Sequence, residues 1–478
     1  MNKRPVRISE EEKKRQLLAI EEAKRVISSL ENELGRPVRA CVVTFGCQMN
    51  ARDSEKLAGI LDAAGFWQTP DEDDADFVIF NTCTVRENAD NRLYGRIGRL
   101  SGIKKQKPHM KIAVCGCMMQ EEGAIEKITS SYRHVDLIFG TFNIHRFAEL
   151  LVTMYASDRV VVDVWKEAGE VAEDLPVIRK YPFKSGVNIM YGCDNFCSFC
   201  IVPYVRGRER SRTPDDIVSE ITRLAEEGVT EVMLLGQNVN SYGQGLDEEI
   251  DFPALLSRVC EIDGIRRVRF MSSHPKDFSD ELIDVIAREE KVARHVHLAL
   301  QSGSDRILAL MNRHYTKAHF LSLCDRLRSK APEVSVTTDI LVGFPTETER
   351  DVDETIDVIR ACAFDNAFTF IYSKRSHTKA ALMEEALSEE EVRARNQNAF
   401  DRVLCEVQAS ARRQSAKYLG QTQEVLVEGI NAQDPSLLTG RMSNNLLVHF
   451  PGNPEDIGTF VHAHLDDCRG FYYLGHKI

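Results

Sequence analysis

Residues 187–200 read VNIMYGCDNFCSFC, an apolar run that ends at Gly192 and continues into three closely spaced cysteines. The run predicts a buried strand, and the Cys-x3-Cys-x2-Cys spacing predicts a loop whose thiols converge. Thiolates are soft ligands that select zinc, copper(I) or iron–sulfur clusters. Structural zinc needs a fourth protein ligand, and no second cysteine pair follows Cys200. We therefore favour an iron–sulfur cluster on Cys193, Cys197 and Cys200.

The chain on either side of this loop repeats a strand–helix rhythm. Between residues 185 and 410 the sequence predicts six strands separated by helical patterns: Val187–Tyr191, Val229–Leu235, Val268–Ser272, Val296–Leu300, Val334–Val342 and Ala367–Tyr372. An eight-unit β/α barrel needs about 250 residues, and only 226 are available here. We expect an incomplete β/α barrel with its active site at the carboxyl ends of the strands.

A second set of cysteines lies upstream, in residues 38–155. Three apolar runs there are each followed by a helical pattern, which predicts an open parallel α/β sheet. The runs end in FGCQMN, FNTCTV and VCGCMM, which places Cys47, Cys83 and Cys117 at carboxyl ends of strands. Those ends line the ligand crevice in such sheets, so the three thiols should converge on a second metal site.

The remaining segments complete an α/β chain of several domains. Residues 1–37 predict an appended helix that begins at Ser9 and ends near Gly35, with an apolar face at helical spacing formed by Leu17, Ile20, Ala23, Ile27 and Leu30. Residues 156–184 predict a connector. Residues 411–478 hold short alternating runs between turn residues, which is typical of a small antiparallel β-barrel of the OB type.

Composition excludes several classes of protein. No apolar stretch approaches the roughly 18 residues of a membrane span, and the N-terminus lacks a signal-peptide core. The formal charge of −12 excludes a generally basic nucleic-acid coat but leaves room for a local basic patch. Thirteen cysteines, an odd number, favour metal or redox chemistry in the cytoplasm over a disulfide scaffold.

Several long motifs, in order, resemble those of one enzyme family. FGCQMNARDSE, NTCTVRENA and CGCMMQ look like the N-terminal domain of the radical S-adenosylmethionine (SAM) methylthiotransferases. YGCDNFCSFCIVPYVRGRERSR looks like their radical SAM motif, and GRMSNNLLVHF resembles their RNA-binding TRAM module. LLGQNVNSYG, residues 234–243, resembles the branch that acts on N6-isopentenyladenosine next to the tRNA anticodon.

The resemblance implies a mechanism and a set of cofactors. Two [4Fe-4S] clusters are expected: a radical SAM cluster on Cys193, Cys197 and Cys200, and an auxiliary cluster on Cys47, Cys83 and Cys117. SAM would serve as radical source and as methyl donor, and the adenine C2–H bond at position 37 would be methylthiolated. The adenine C2–H bond is not acidic, so a cofactor must carry such chemistry.

The resemblance also implies partners. We expect tRNA carrying isopentenyladenosine as substrate, a low-potential electron donor such as flavodoxin or ferredoxin, a monomer, and no membrane association. Two alternatives stay open: a sister methylthiotransferase acting on N6-threonylcarbamoyladenosine or on a ribosomal-protein aspartate, and a non-catalytic iron–sulfur or zinc protein that binds RNA.

Residues outside the cysteines give weaker predictions. Gln237, Ser272, Gln301 and Asp339 lie near the ends of predicted strands and either bind SAM or cap the following helices. Two basic groups are candidates for RNA or SAM contact: Arg92, Arg96 and Arg99 on one helical face within the basic stretch 86–111, and Arg206, Arg208, Arg210 and Arg212 after the cysteine loop.

Two features depart from the family pattern. Residues 412–478 hold six Lys or Arg against seven Asp or Glu, fewer cations than a tRNA-binding module usually has. The segment from Ser376 to Lys379 reads SHTK where the family commonly has Pro-Gly-Thr-Pro. We therefore expect a changed loop after the sixth strand and assign its residues no role.

Overall fold

A computed structural model describes residues 8–84, 87–167, 173 and 175–478, with only the backbone described at 87–90. The first seven residues of the predicted extension, Arg86 of the basic stretch and part of the predicted connector lie outside these residues. No helix in the described ranges is long and apolar enough to cross a bilayer.

The N-terminal part is an open, fully parallel sheet flanked by helices. Its strand order is β2-β1-β3-β4-β5-β6, and the three predicted strands are β1, β3 and β4 at adjacent positions. The elements are α1 (Glu10–Leu34), β1 (Arg39–Thr44), α2 (Gln48–Ala63), β2 (Trp67–Gln68), β3 (Phe77–Thr82), α3 (Glu87–Gln106), β4 (Lys111–Gly116), α4 (Ala124–Ser131), β5 (Leu137–Phe139), α5 (Phe147–Tyr155) and β6 (Val161–Asp163).

Helix α1 begins and ends at the predicted residues. The Ser9 hydroxyl accepts a hydrogen bond from the backbone N–H of Glu12, and Gly35 ends the helix at φ +66°, a conformation that glycine adopts without strain. Ile20, Ala23 and Ile27 are buried in the core that α1 shares with α5. Leu17, which the helical spacing placed on this face, is 44% exposed.

The central part is the predicted incomplete β/α barrel. Six strands follow one another in chain order, paired in parallel as β7-β10-β11 and β12-β13-β14, and a bridge between Ser273 and Leu298 joins the two groups. The elements are β7 (Lys184–Asn188), β8 (Met190–Tyr191), α6 (Val202–Val205), β9 (Arg210–Ser211), α7 (Pro214–Glu226), β10 (Glu231–Leu235), α8 (Phe252–Cys260), β11 (Arg267–Phe270), α9 (Asp280–Arg288), β12 (His295–His297), α10 (Asp305–Leu310), α11 (Lys317–Lys330), β13 (Ser335–Val342), α12 (Glu349–Cys362), β14 (Asn366–Ile371) and α13 (Glu389–Ser415).

The C-terminal part is a closed five-stranded barrel in the order β15-β16-β17-β19-β18. Its pairs are antiparallel, as the alternation predicts, except that β17 and β19 run parallel. The strands are β15 (Thr422–Ile430), β16 (Leu437–Met442), β17 (Leu447–Pro451), β18 (Phe460–Cys468) and β19 (Tyr472–Lys477).

Buried charges hold the N-terminal sheet against the central barrel. Arg52 of α2 pairs with Glu220 of α7 at 3.0 Å, and Glu220 in turn pairs with Arg212 at 2.7 Å. Lys56 of α2 pairs with Glu173 at 2.8 Å. All five side chains are at most 5% exposed. Buried charges are tolerated only when paired, so this network admits one register between α2 and the barrel.

The C-terminal barrel docks at the opposite end of the central strands. Lys184, Arg267 and Ser335 are the first residues of β7, β11 and β13, and each contacts the C-terminal barrel. Arg269 donates to the backbone carbonyls of Ser443 (3.0 Å) and Met442 (2.8 Å) and pairs with Glu231 at 3.1 Å. This barrel therefore covers the amino ends of the strands and leaves their carboxyl ends free.

Replacing Arg269 tests whether this contact holds the barrel in place. Arg269→Leu leaves two carbonyls without a donor and Glu231 without its closest cation, so we expect a loss of about 3–5 kcal/mol of unfolding free energy. Arg266→Ala is the matched control, because Arg266 makes an exposed pair with Glu424 and should cost at most about 1 kcal/mol. Urea denaturation followed by circular dichroism compares the two, and equal losses would contradict the assignment.

Candidate active site

The structure brings the ends of β1, β3 and β4 to one edge of the N-terminal sheet. Cys47 is the residue before α2, Cys83 follows β3, and Cys117 opens a short 3-10 turn after β4. The three strands are neighbours and run parallel, so their carboxyl ends meet. All thirteen cysteines of the chain are free thiols.

Two glycines allow these strand ends to approach closely. A Cβ atom on Gly46 would lie 2.5 Å from Cys83 Cβ, and one on Gly116 would lie 2.4 Å from the carbonyl oxygen of Thr82. Both residues have a positive φ, +108° and +99°. Glycine is required here both by conformation and by space, which explains the FGC and CGC motifs.

Asn50 lies beside two of the thiols. Its side-chain amide donates to the carbonyls of Phe45 and Thr82, each at 2.8 Å. Its Oδ1 lies 3.7 Å from Cys117 Sγ and 4.0 Å from Cys47 Sγ, within the range of weak S–H···O contacts. Asn50 therefore ties α2 to the ends of β1 and β3 and turns its oxygen toward the cysteine cluster.

The electrostatics of Cys117 show that the three thiols interact. Burial raises the pKa of the Cys117 thiol to about 12, the Arg206 guanidinium opposes that rise, and the neighbouring Cys47 and Cys83 add to it. Two like groups that raise the pKa of a third lie close to it, as ligands of one shared cationic centre would.

The other three cysteines lie in the loop between β8 and α6. The loop is anchored from below by the turn after α10: the backbone N–H of Ser198 donates to Met311, and Asn312 donates to the carbonyls of Asn195 and Phe196. Burial raises the pKa of Cys200 to about 12, with Cys197 and Cys193 adding to the rise. Arg313, which is 5% exposed, places Nη1 at 3.3 Å from Cys197 Sγ.

Each triad suits a cluster better than a single ion. Among the residues that the structure describes, no three His, Cys, Asp or Glu side chains are placed to hold one metal ion. Structural zinc also requires a fourth protein ligand, which neither triad has among the described residues. Three thiolates without a fourth ligand fit a [4Fe-4S] cube with one open iron, which favours clusters over zinc at both triads.

The carboxyl ends of the barrel strands carry buried polar atoms without partners. Among the residues that the structure describes, they belong to the loops after β10 and β11: Gln237 Oε1, both amide atoms of Asn240, Ser273 Oγ and His274 Nε2. Buried polar atoms are normally satisfied, so this set fits a polar ligand with several donors and acceptors, such as SAM. The sequence analysis missed Asn240, Ser273 and His274, which no spacing rule distinguishes from helix caps.

The four residues predicted to bind SAM differ in their contacts and backbone conformation. Gln237 Nε2 contacts Met49 Sδ of α2 at 2.6 Å, so Gln237 spans the junction of the two domains. Ser272 and Gln301 have left-handed backbones at φ +69° and +67°. Asp339 lies inside β13, where Oδ2 is 3.2 Å from His297 Nε2. Nothing in these contacts tests SAM binding, and all four assignments stay predictions.

Several of the candidate arginines are already paired within the protein. Arg96 and Arg99 both pair with Glu72 but remain 42% and 48% exposed, and Arg92 is exposed as well. Arg206 and Arg212 are buried in ion pairs, which leaves neither side chain available to a phosphate. In the second group Arg208 remains on the surface, 66% exposed beside Asp194. We therefore expect RNA contact only from the arginines of these two groups that are exposed.

In the SHTK segment, a residue with a left-handed backbone stands where the family commonly has glycine. His377 adopts φ +65°, the left-handed region that glycine occupies readily. Its ring lies 6.4 Å from that of Tyr204, and Nε2 is 3.1 Å from Glu122 in the N-terminal part. The loop thus preserves a glycine-like turn and adds a side-chain contact between the two parts of the chain.

Sequence comparisons match three domain families along the chain. Residues 39–140 match the uncharacterized protein family UPF0004, residues 187–359 match the radical SAM superfamily, and residues 416–478 match the TRAM domain. The radical SAM methyltransferase TsrM of Kitasatospora setae, solved with cobalamin and a [4Fe-4S] cluster, superposes with a TM-score of 0.51 at 14% identity. That match covers 72% of this chain and 77% of TsrM, and it supports the fold alone.

Full-length relatives are more informative. A protein of Lachnoclostridium phytofermentans named tRNA-2-methylthio-N(6)-dimethylallyladenosine synthase is 54% identical over 95% of this chain and 99% of its own length. A protein of the same name from Acetivibrio thermocellus is 46% identical over 98% of this chain and 97% of its own length. At this identity and coverage, the chain belongs to the tRNA-2-methylthio-N(6)-dimethylallyladenosine synthase family of radical SAM methylthiotransferases.

Proposed function

We propose that this protein methylthiolates C2 of N6-isopentenyladenosine, also called dimethylallyladenosine, at position 37 of tRNA. The observation that carries the proposal is the pair of cysteine triads, each without a fourth ligand, at strand ends of adjoining domains. Ile201 and Val205, which follow Cys200, pack directly against Cys117. The name shared by the relatives supports this substrate over the sister-branch substrates.

The six cysteines would hold two [4Fe-4S] clusters, with Cys193, Cys197 and Cys200 on the SAM side and Cys47, Cys83 and Cys117 on the auxiliary side. When bound, the clusters and SAM supply a carbon-centred radical for the unactivated C–H bond, together with the sulfur and methyl group to be inserted. The chain's own task is to orient the adenine between the triads and to keep water away from the radical.

The junction between the domains is suited to that task. Met49, Tyr191 and Leu235 form a small buried apolar cluster between α2 and the strand ends. Gln237 contacts this cluster through Met49, and together with the buried polar atoms of the β10 and β11 loops it would bind the polar parts of SAM. The apolar cluster would exclude water from the reacting face of the adenine.

The partners follow from the same proposal. The TRAM domain and the exposed Arg92 and Arg208 are the surfaces on which we place tRNA contacts. We further propose a low-potential donor such as flavodoxin or ferredoxin, a monomeric state and a cytoplasmic location.

Cys200→Ala tests the SAM-side triad. The variant removes one of three thiolates, so we expect no reductive cleavage of SAM and no methylthiolated tRNA. Chromatography of 5′-deoxyadenosine formed under dithionite measures the cleavage. Formation of 5′-deoxyadenosine at the rate of the unchanged protein would contradict the assignment.

Cys83→Ala separates the two triads. Iron should fall from about eight to about four per chain, because only one cluster is lost. SAM should still be cleaved, while methylthio transfer disappears. Cys41→Ala is the matched control: Cys41 is a buried thiol in β1, one strand away, and lies in the core. If Cys41→Ala lost iron and Cys83→Ala did not, the assignment of Cys83 to the auxiliary triad would be wrong.

Three anticodon stem-loops that differ only at position 37 test the substrate. An apolar pocket gains roughly 0.8 kcal/mol per buried CH₂-sized group, so five isopentenyl carbons supply a few kcal/mol that unmodified adenosine lacks. The anionic threonylcarbamoyl group would bring a charge into that site at considerable cost. We expect strong preference for the isopentenylated RNA in single-turnover assays. Equal or faster turnover of the threonylcarbamoyl RNA would assign the protein to the sister branch.

A further inference from the structure

Arg206 reaches from the SAM-side segment into the auxiliary triad. It follows α6, six residues after Cys200, and is 7% exposed. Its Nε lies 3.1 Å from Cys117 Sγ, and its Nη2 donates to Asn50 Oδ1 at 2.6 Å. The guanidinium thus contacts both a predicted cluster ligand and the amide that lies between two of the ligands.

The charge of this guanidinium is balanced by Asp53. The Nη2 atom lies 2.8 Å from Asp53 Oδ2, and Asp53 is almost completely buried. The pair as a whole is neutral, so what remains at the sulfur is mainly a directed N–H···S hydrogen bond. Such bonds stabilise the more negative, reduced form of an iron–sulfur cluster and so raise its reduction potential.

We propose that Arg206 is a positioning residue that sets the reduction potential of the auxiliary cluster through its hydrogen bond to Cys117. The inference rests on the proposed cluster at Cys47, Cys83 and Cys117. It adds to that proposal a specific connection between the triads. The segment that carries the SAM-side ligands also supplies the hydrogen-bond donor that sets the reduction potential of the auxiliary cluster.

The SAM-side triad has its own arginine, which makes a comparison within the chain possible. Arg313 donates to Cys197 Sγ at 3.3 Å and to the carbonyl oxygen of Ala299 at 2.7 Å. Arg206 and Arg313 are both buried and each contacts a thiol of a different triad. Each arginine should therefore shift the potential of one cluster and leave the other unchanged.

The test uses full-length protein in which Cys193, Cys197 and Cys200 are all alanine, so that only the auxiliary cluster gives a signal. Dithionite supplies the one electron that converts [4Fe-4S]²⁺ to [4Fe-4S]⁺, and electron paramagnetic resonance follows the titration. Iron analysis of this parent comes first. A parent without iron would refute the proposed auxiliary site itself, independently of Arg206.

Three variants are compared in the parent background. Arg206→Met removes the donors and keeps an unbranched side chain, and combining it with Asp53→Asn removes the charge imbalance. Arg313→Gln is the control. We expect a more negative potential in Arg206→Met and in the double variant, at about four iron per chain, and no shift in Arg313→Gln. An unshifted potential in the charge-matched double variant with its iron intact would overturn the proposal.

If the methionine variants lose their iron, Arg206→Lys tests whether Arg206 sets the potential of the auxiliary cluster. Lysine keeps the charge but has a methylene group where arginine has the Nε–H that contacts Cys117, so we expect a retained cluster with a potential below that of the parent. A retained cluster with the parent's potential would overturn the proposal. Loss of iron from this variant as well would also overturn it, because it would show that Arg206 serves only to hold the domains together.

Discussion

The buried ion pairs between α2 and the barrel are the constraint on which the proposed chemistry depends. Arg52 and Lys56 leave α2 one turn apart, and each meets a buried carboxylate, Glu220 and Glu173. Cys47 and Asn50 lie on the first turn of the same helix. A displacement of α2 would leave these buried charges without their partners. The network therefore fixes the position of the auxiliary triad relative to the SAM-side loop. In the proposed reaction, two clusters would act on one adenine, which requires this precision of placement more than it requires added stability.

The position of the TRAM domain sets a geometric requirement on the substrate. The domain covers the amino ends of the barrel strands, whereas both triads lie at carboxyl ends. The five residues of β7 and the eight of β13 separate the two faces by roughly 15–25 Å. One RNA that contacts both must therefore run along the side of the barrel. The near balance of charges in residues 412–478 agrees with contact over a limited surface.

Much of the fold and both triads could be predicted from the sequence because local patterns encode them. Period-two and period-3.6 spacing predicts the strands and helices, and a cysteine at a strand end is placed by topology alone. The roles of Arg206 and Arg212 could not be predicted in this way. Both lie in a run of arginines that resembles a phosphate site, and only the fold shows that Asp53 and Glu220 bury them. The predicted burial of Leu17 is wrong for a related reason. Helical spacing identifies an apolar face, but it does not show which edge of that face the neighbouring helix covers.

Backbone strain points to the same end of the barrel as the chemistry does. Among non-glycine residues with left-handed backbones, Ser272 and Gln301 follow barrel strands, Phe196 lies between two cysteines, and His377 lies in the loop after β14. Each such residue costs of order 1 kcal/mol or more and persists only where the surroundings impose it. Side chains that merely capped the following helices would not require this conformation. The left-handed backbones of Ser272 and Gln301 therefore reflect a local constraint at these two strand ends that helix capping does not explain.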